Sequence, residues 1–118
     1  MFNTIKENFS RALFALLFSV ITIATLSFLS FNTSYGLFLA GSFGATMVLI
    51  FGYPESPFAQ PKNVFFGHLI TSVVAILVLQ FLPLDDFLQI TIAVGFGIFF
   101  MILFGVTHPP AGGNPIVV

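Results

Sequence analysis

Phe87 to Val106, FLQITIAVGFGIFFMILFGV, runs for twenty residues without a charge, and Thr107-His108-Pro109-Pro110-Ala111-Gly112-Gly113-Asn114-Pro115 follows it directly. A helix needs roughly 20 apolar residues to cross about 30 Å of hydrocarbon. The first stretch meets that length. The second cannot continue a regular helix, because proline removes a backbone donor and glycine carries a high conformational cost. Irregular backbone near membrane depth is tolerated only where protein buries it or water reaches it. The junction therefore reads as a spanning helix that runs into a surface loop or into a site that handles something polar.

Three more apolar runs precede it. Ala12 to Phe31 is twenty residues without a charge. Leu37 to Gly52 is sixteen and holds Gly41-Ser42-Phe43-Gly44-Ala45-Thr46. Val64 to Leu82 is nineteen, with His68, Thr71, Ser72 and Gln80 as its polar points. The predicted fold is an all-α polytopic membrane protein, one domain over 1–118, with four transmembrane helices and broken or re-entrant elements at 41–46 and 107–115. Composition agrees: 58% of the 118 residues are hydrophobic and 6% charged, against roughly 25% charged in a soluble domain. Tyr35 and Tyr53 bracket the second run, where interfacial aromatics belong. Ile116-Val117-Val118 resembles the opening of another apolar run, so a further C-terminal helix is expected beyond it.

The few charges orient the chain. Lys6, Arg11 and Lys62 all fall on one side if the helices alternate, which places the N-terminus in the cytoplasm. Asp85 sits where it can cap the fourth helix and meet its positive dipole end. The first run is longer than a signal-peptide core and no small-residue cleavage site follows it, so it reads as a retained span. A net charge of −1 gives no reason to expect a nucleic-acid partner; the lipid bilayer is the expected surrounding. There is no cysteine, which excludes disulfides, thiolate nucleophiles and cysteine-based metal sites.

Three stretches can carry chemistry. In the first, Gly41, Ser42, Gly44, Ala45 and Thr46 offer backbone N–H groups and hydroxyls to an anion at a half-helix N-terminus. The bland alternative is close helix packing through the small-xxx-small pairs Gly41/Ala45 and Ala40/Gly44. In the second, Thr107, His108, Ala111, Gly112, Gly113 and Asn114 can bind a substrate, with His108 as a switchable charge or proton carrier. The alternative is a lone histidine at a water interface. In the third, Gln60, Lys62, Asn63 and His68 are assigned to the mouth or gate of a path. There too the plainer reading is a proline-stiffened loop, an Asn63 helix cap and a packed histidine.

No Ser/His/Asp set, phosphate-binding glycine fingerprint, HEXXH pattern or intramembrane carboxylate pair is present, so an enzyme is not expected. No cofactor is called for. Two histidines far apart in sequence make a poor metal ligand set. Residues 41–50 can be laid over 109–118, glycine over proline or glycine and then apolar residues. Such matching interruptions at inverted repeats mark substrate sites in transporters.

The ordered motifs Gly41-Ser42-Phe43-Gly44-Ala45-Thr46, Pro57 with Ala59-Gln60-Pro61-Lys62-Asn63, Gly67-His68 and Thr107-His108-Pro109-Pro110-Ala111-Gly112-Gly113 resemble the HPP family of integral membrane proteins. That resemblance covers most of the chain. It implies a small multi-helix membrane domain of the kind found in bacteria and in plant chloroplasts, where some members are associated with nitrite transport. The implied function is transport of a small inorganic anion, nitrite first, across a bacterial inner membrane, or a chloroplast envelope in a plant. Four helices are few to enclose a path, so a homo-oligomer packed through Gly41/Ala45 or Ala93/Gly97 is expected. The competing reading is a non-transporting membrane subunit or scaffold that docks a partner through the Pro/Gly loop.

Overall fold

In a computed structural model, the described residues are 2–33 and 41–117, and they form helices and turns with no strand among them. The order is α1 (Phe2–Asn32), α2 (Gly41–Met47) continuing as a π-helical segment (Val48–Gly52), a 3-10 turn (Pro57–Ala59), α3 (Pro61–Phe81), α4 (Asp86–Leu103), a second 3-10 turn (Pro109–Gly113) and α5 (Asn114–Val117). The protein is an all-α polytopic membrane protein, as its composition requires.

Among the described residues three helices, α1, α3 and α4, are long and apolar enough to cross a membrane. The described part of the second apolar run, Gly41–Gly52, is about 18 Å long at 1.5 Å per residue. Leu37 to Ala40 and Tyr35 lie outside the described residues. Within 41–46 the backbone is helical, and the irregularity falls at the π segment 48–52. The 107–115 segment is irregular as expected, extended at His108 and then 3-10. The two halves of the supposed repeat therefore differ locally, one α then π, the other 3-10 then a single α turn.

Helix ends follow local chemistry. At the end of α1 the side chains of Asn32 and Thr33 donate to the carbonyls of Phe28 and Leu29, one turn back. Pro61 opens α3 at its first position, where the missing N–H costs nothing. Gln60 is the N-cap, and its amide ties back to the Pro54 and Ser56 carbonyls. Asn63 is thus inside the helix rather than capping it. Asp85 is the N-cap of α4, with its carbonyl rather than its carboxylate accepting, from Leu88 and Gln89 N–H. Gln89 also donates to the Leu82 carbonyl and closes the α3–α4 hairpin.

The end of α4 decides where the site lies. Gly105 N–H bonds the Ile102 carbonyl and Val106 N–H the Met101 carbonyl, with Gly105 at φ +66°. That is a Schellman turn, and a residue with a Cβ would be strained there. It turns the chain back toward α3 just before His108.

The α3–α4 seam is built from small residues. Ala75, Val78 and Ala93 form its buried cluster, with Val74 and Ile92 against it. A Cβ on Gly97 would lie 3.1 Å from Thr71 Cγ2. Small residues let backbones approach and gain dispersion contact where lipid offers no hydrophobic drive. Ala93 and Gly97 are therefore spent within the chain, which corrects their assignment to a contact between copies. Gly41 and Gly44 meet nothing within 4 Å. α1 has no buried residue. It rests on the π segment through Phe14 and Phe18 against Phe51, and Arg11 pairs with the exposed Glu55 at 3.2 Å.

Candidate functional site

Ser42 and Thr46 stand four residues apart on α2 and share its inner face, both buried. On α3, His68, Thr71 and Ser72 fall at i, i+3 and i+4 and form a second polar stripe. The Schellman turn places His108 against α3, and the 3-10 turn begun by Pro109 and Pro110 brings Asn114 back beside it. His108 and Thr71 are 0% exposed, so this is an interior cluster and not a loop surface. Its closeness depends on Gly67, where a Cβ would come within 2.8 Å of His108 Cβ.

The groups form one connected network. Ser42 Oγ donates to Asn114 Oδ1 at 2.7 Å. The Asn114 amide nitrogen reaches His68 Nδ1 at 2.9 Å and the hydroxyls of Thr71 and Ser72 at 3.2 Å each. Thr46 Oγ1 stands between the two rings, 3.2 Å from His68 Nε2 and 3.0 Å from His108 Nε2. His108 Nδ1 is 2.7 Å from the Phe58 carbonyl oxygen. The ring centroids are 5.1 Å apart, and Phe43 meets the His68 ring edge-on at 5.4 Å. Asn63 donates to the Thr107 carbonyl at 2.8 Å and holds the approach to His108.

One hydrogen assignment follows from chemistry alone. A carbonyl oxygen only accepts, so His108 Nδ1 carries the hydrogen. In the neutral ring Nε2 is then an acceptor, and the single Thr46 hydroxyl hydrogen can serve either it or the Ser42 carbonyl oxygen, 2.9 Å from Thr46 Oγ1. Thr46 in turn accepts from His68 Nε2–H, and His68 Nδ1 accepts from Asn114. With the Thr46 hydrogen turned to His108, every donor from Ser42 to Phe58 is used and both rings are neutral. Among the described residues the buried side-chain polar atom left without a partner is Ser30 Oγ, on α1. His108 lies beyond the end of α4, and burial holds it below the ordinary histidine value, with the Phe58 hydrogen bond opposing.

Of the residues expected to bind substrate, Ser42, Thr46, His108 and Asn114 meet here. Thr107 contributes its carbonyl, and Ala111 is fully buried beside them. A Cβ on Gly113 would sit 3.7 Å from that of Ser42, and Gly112 meets nothing within 4 Å. Gly41, Gly44 and Ala45 face away from the cluster. The idea that free backbone N–H groups line the site is also corrected at two positions: Ala111 N–H bonds His108 O, and Asn114 N–H bonds Ala111 O. Of the assigned gate residues, His68 belongs to the core of the network. Asn63 supports it. Gln60 and Lys62 stay exposed, Gln60 pinning its own loop and Lys62 lining a groove with Phe66, Ile70, Phe104 and Val106. Thr71, Ser72 and the Phe58 carbonyl were missed. The 68/71/72 spacing signalled one shared face, but nothing in the sequence aimed that face at residue 108. The described residues hold no group of three His, Cys, Asp or Glu that could bind a metal.

The transmembrane region of the HPP family matches residues 4–118. The chain belongs to the HPP transmembrane family. In this HPP chain the tripeptide His108-Pro109-Pro110 supplies the buried imidazole and the start of the turn that returns Asn114. Two curated proteins of Dictyostelium discoideum, each named a transmembrane protein, are similar to it. One is 36% identical over 84 residues, covering 69% of this chain and 27% of the relative. The other is 35% identical over 82 residues, covering 67% of this chain and 29% of the relative. The HPP chain thus spans less than a third of the length of these relatives. No solved structure matches it.

Proposed function

We propose that this HPP domain forms part of a membrane path for a small inorganic anion, nitrite first, with its N-terminus in the cytoplasm and more than one copy in the working unit. The observation that carries this reading is the buried polar network itself. Six polar side chains, Ser42, Thr46, His68, Thr71, His108 and Asn114, converge from three helices and a turn in a chain of which 58% is hydrophobic. Polar groups inside a membrane domain are costly and usually mark a substrate or proton route. An anion entering the cluster would take hydrogen bonds from Ser42, Thr46 and the Asn114 amide. It would be held without a fixed cation, and coordination that weak allows release. His108 would supply charge only when protonated.

The test is saturable nitrite flux into proteoliposomes holding the purified chain. His108→Ala is expected to abolish uptake by the protein that folds. Normal uptake by a well-folded His108→Ala protein would remove the imidazole from the path.

A second reading has an observation of its own. The network closes on itself, with its polar atoms partnered and His108 fully buried. Such a network can act as a staple that fixes α2 and the 3-10 turn onto α3, in a non-transporting membrane subunit that docks a partner through the Pro/Gly segment. That role predicts no flux from a folded wild-type protein and a large loss of stability in His108→Ala.

A further inference from the structure

Resting on the transport reading, we propose that His68 and His108 hold a single exchangeable proton between them, and that the Thr46 hydroxyl is the bridge that passes it. Three features of the network carry this. The hydroxyl lies within hydrogen-bond distance of both Nε2 atoms, at 3.2 and 3.0 Å. A hydroxyl can donate to one ring while accepting from the other, and here its hydrogen does so by rotating away from the Ser42 carbonyl oxygen, 2.9 Å from Thr46 Oγ1. Each outer nitrogen has its own anchor: His108 Nδ1 the Phe58 carbonyl, and His68 Nδ1 either end of the Asn114 amide, with Oδ1 at 3.2 Å and Nδ2 at 2.9 Å. The amide therefore accepts from a protonated Nδ1 or donates to a bare one.

The transfer balances. With the proton on His108, its Nε2–H donates to Thr46 Oγ1. Thr46 donates to a bare His68 Nε2, and His68 Nδ1–H donates to Asn114 Oδ1. Passing the Nε2 proton to Thr46 while the Thr46 hydrogen moves to His68 Nε2 leaves the hydroxyl unchanged. His108 is then neutral, with Nδ1–H still on Phe58, and His68 is the cation, donating from both nitrogens. No other group gains or loses a proton.

Two cationic rings with centroids 5.1 Å apart would repel strongly in so dry a place, so the pair holds one extra proton at a time. The partners facing the rings are Ser42, Phe43 and Thr46 from α2, the Phe58 carbonyl from the first 3-10 turn, Gly67, Thr71 and Ser72 from α3, and Asn114 from α5. No carboxylate, lysine or arginine hydrogen-bonds either ring among the described residues. Lys62 is six residues before His68 on α3, and Asp85 and Asp86 lie at the far end of the α3–α4 hairpin. The thermodynamic partner of each imidazole is thus the other imidazole.

The chain has only two histidines, so 15N-histidine labelling of the full chain in lipid nanodiscs reports this pair alone. Titrated from pH 8 to 4, the wild type is expected to show both rings shifting together at the first proton and a second, well-separated step at the second. In Thr46→Val the bridge is gone, and exchange of the proton between rings should slow by at least tenfold on the NMR timescale; Thr46→Ser should restore it. Two independent single-proton curves in the wild type would overturn the proposal even if no Thr46 variant folds. So would wild-type exchange rates in folded Thr46→Val. The titration needs no substrate. Flux without a shared proton would sink the relay alone, and a shared proton without flux would sink the transport reading alone.

Discussion

The residue that constrains the site most tightly has no side chain. A methyl group on Gly67 would be 2.8 Å from His108 Cβ and 3.4 Å from both Met101 Sδ and the Val106 carbonyl. Neither backbone-tethered Cβ can swing away, so α3 or the Schellman turn must shift. Overpacking of this kind costs about 1–3 kcal/mol, against up to about 1 kcal/mol gained from helix propensity. Gly67→Ala is therefore expected to lower the thermal midpoint in detergent and to disturb the histidine signals, whereas Gly41→Ala, in open space, should do neither. An unchanged histidine spectrum in Gly67→Ala would contradict the close approach. At this scale the sequence was partly legible. His108 and the Ser42/Thr46 pair stood out as polar groups in apolar surroundings. His68 looked like an isolated packed residue, because its partners lie 22, 40 and 46 positions away and periodicity reports only the face a residue shares with its own helix.

At the level of elements, length and hydropathy were enough for α1, α3 and α4, since spanning helices satisfy their backbone internally and need no partner to be recognised. The boundaries were harder. A polar residue near a helix start suggested an Asn63 cap, but Pro61 at the first position fixed the start three residues earlier, with Gln60 as the cap. Nothing in VLIFG (48–52) announces a π segment, which arises from tertiary fit and not from propensity. The small-residue stripes were visible without their partners. Ala93 and Gly97 turn out to meet α3. Gly95 lies on another face of α4, with nothing within 4 Å of a Cβ there. Gly95→Leu should thus leave the folded fraction by size exclusion nearly unchanged, while Gly97→Leu should push α3 and α4 apart and abolish the monodisperse peak. Equal tolerance at the two positions would show that the seam is not as tight as 3.1 Å implies.

For the whole molecule, the decisive fact is a long-range meeting. α2 and the 109–117 segment pack together through Ser42 and Asn114, 72 positions apart in sequence. Laying 41–50 over 109–118 linked the right two segments, though for a likeness of pattern that their local structures do not share. Their convergence also makes stability depend on pH. His108 binds its proton less readily folded than unfolded. Where the unfolded chain holds more protons, stability rises with pH. The His108 contribution is then fully present above about pH 6.5, the ordinary histidine value, and is lost as pH falls below it. Thermal midpoints should drop between about pH 7 and 5, and the drop should shrink in His108→Gln. An acid-stabilised wild type would reverse the sign and exclude a neutral buried His108.

The short distance between the two rings has an electrical consequence. A unit charge crossing the entire membrane exchanges about 2.3 kcal/mol per 100 mV. The rings are 5.1 Å apart, about a sixth of a ~30 Å hydrocarbon core. Even aligned with the membrane normal, a proton handed from one ring to the other exchanges at most about 0.4 kcal/mol at 100 mV. Voltage can therefore bias which ring is charged by about twofold. The hand-off is nearly silent electrically, and any steep voltage dependence of flux has to come from the travelling ion's own charge.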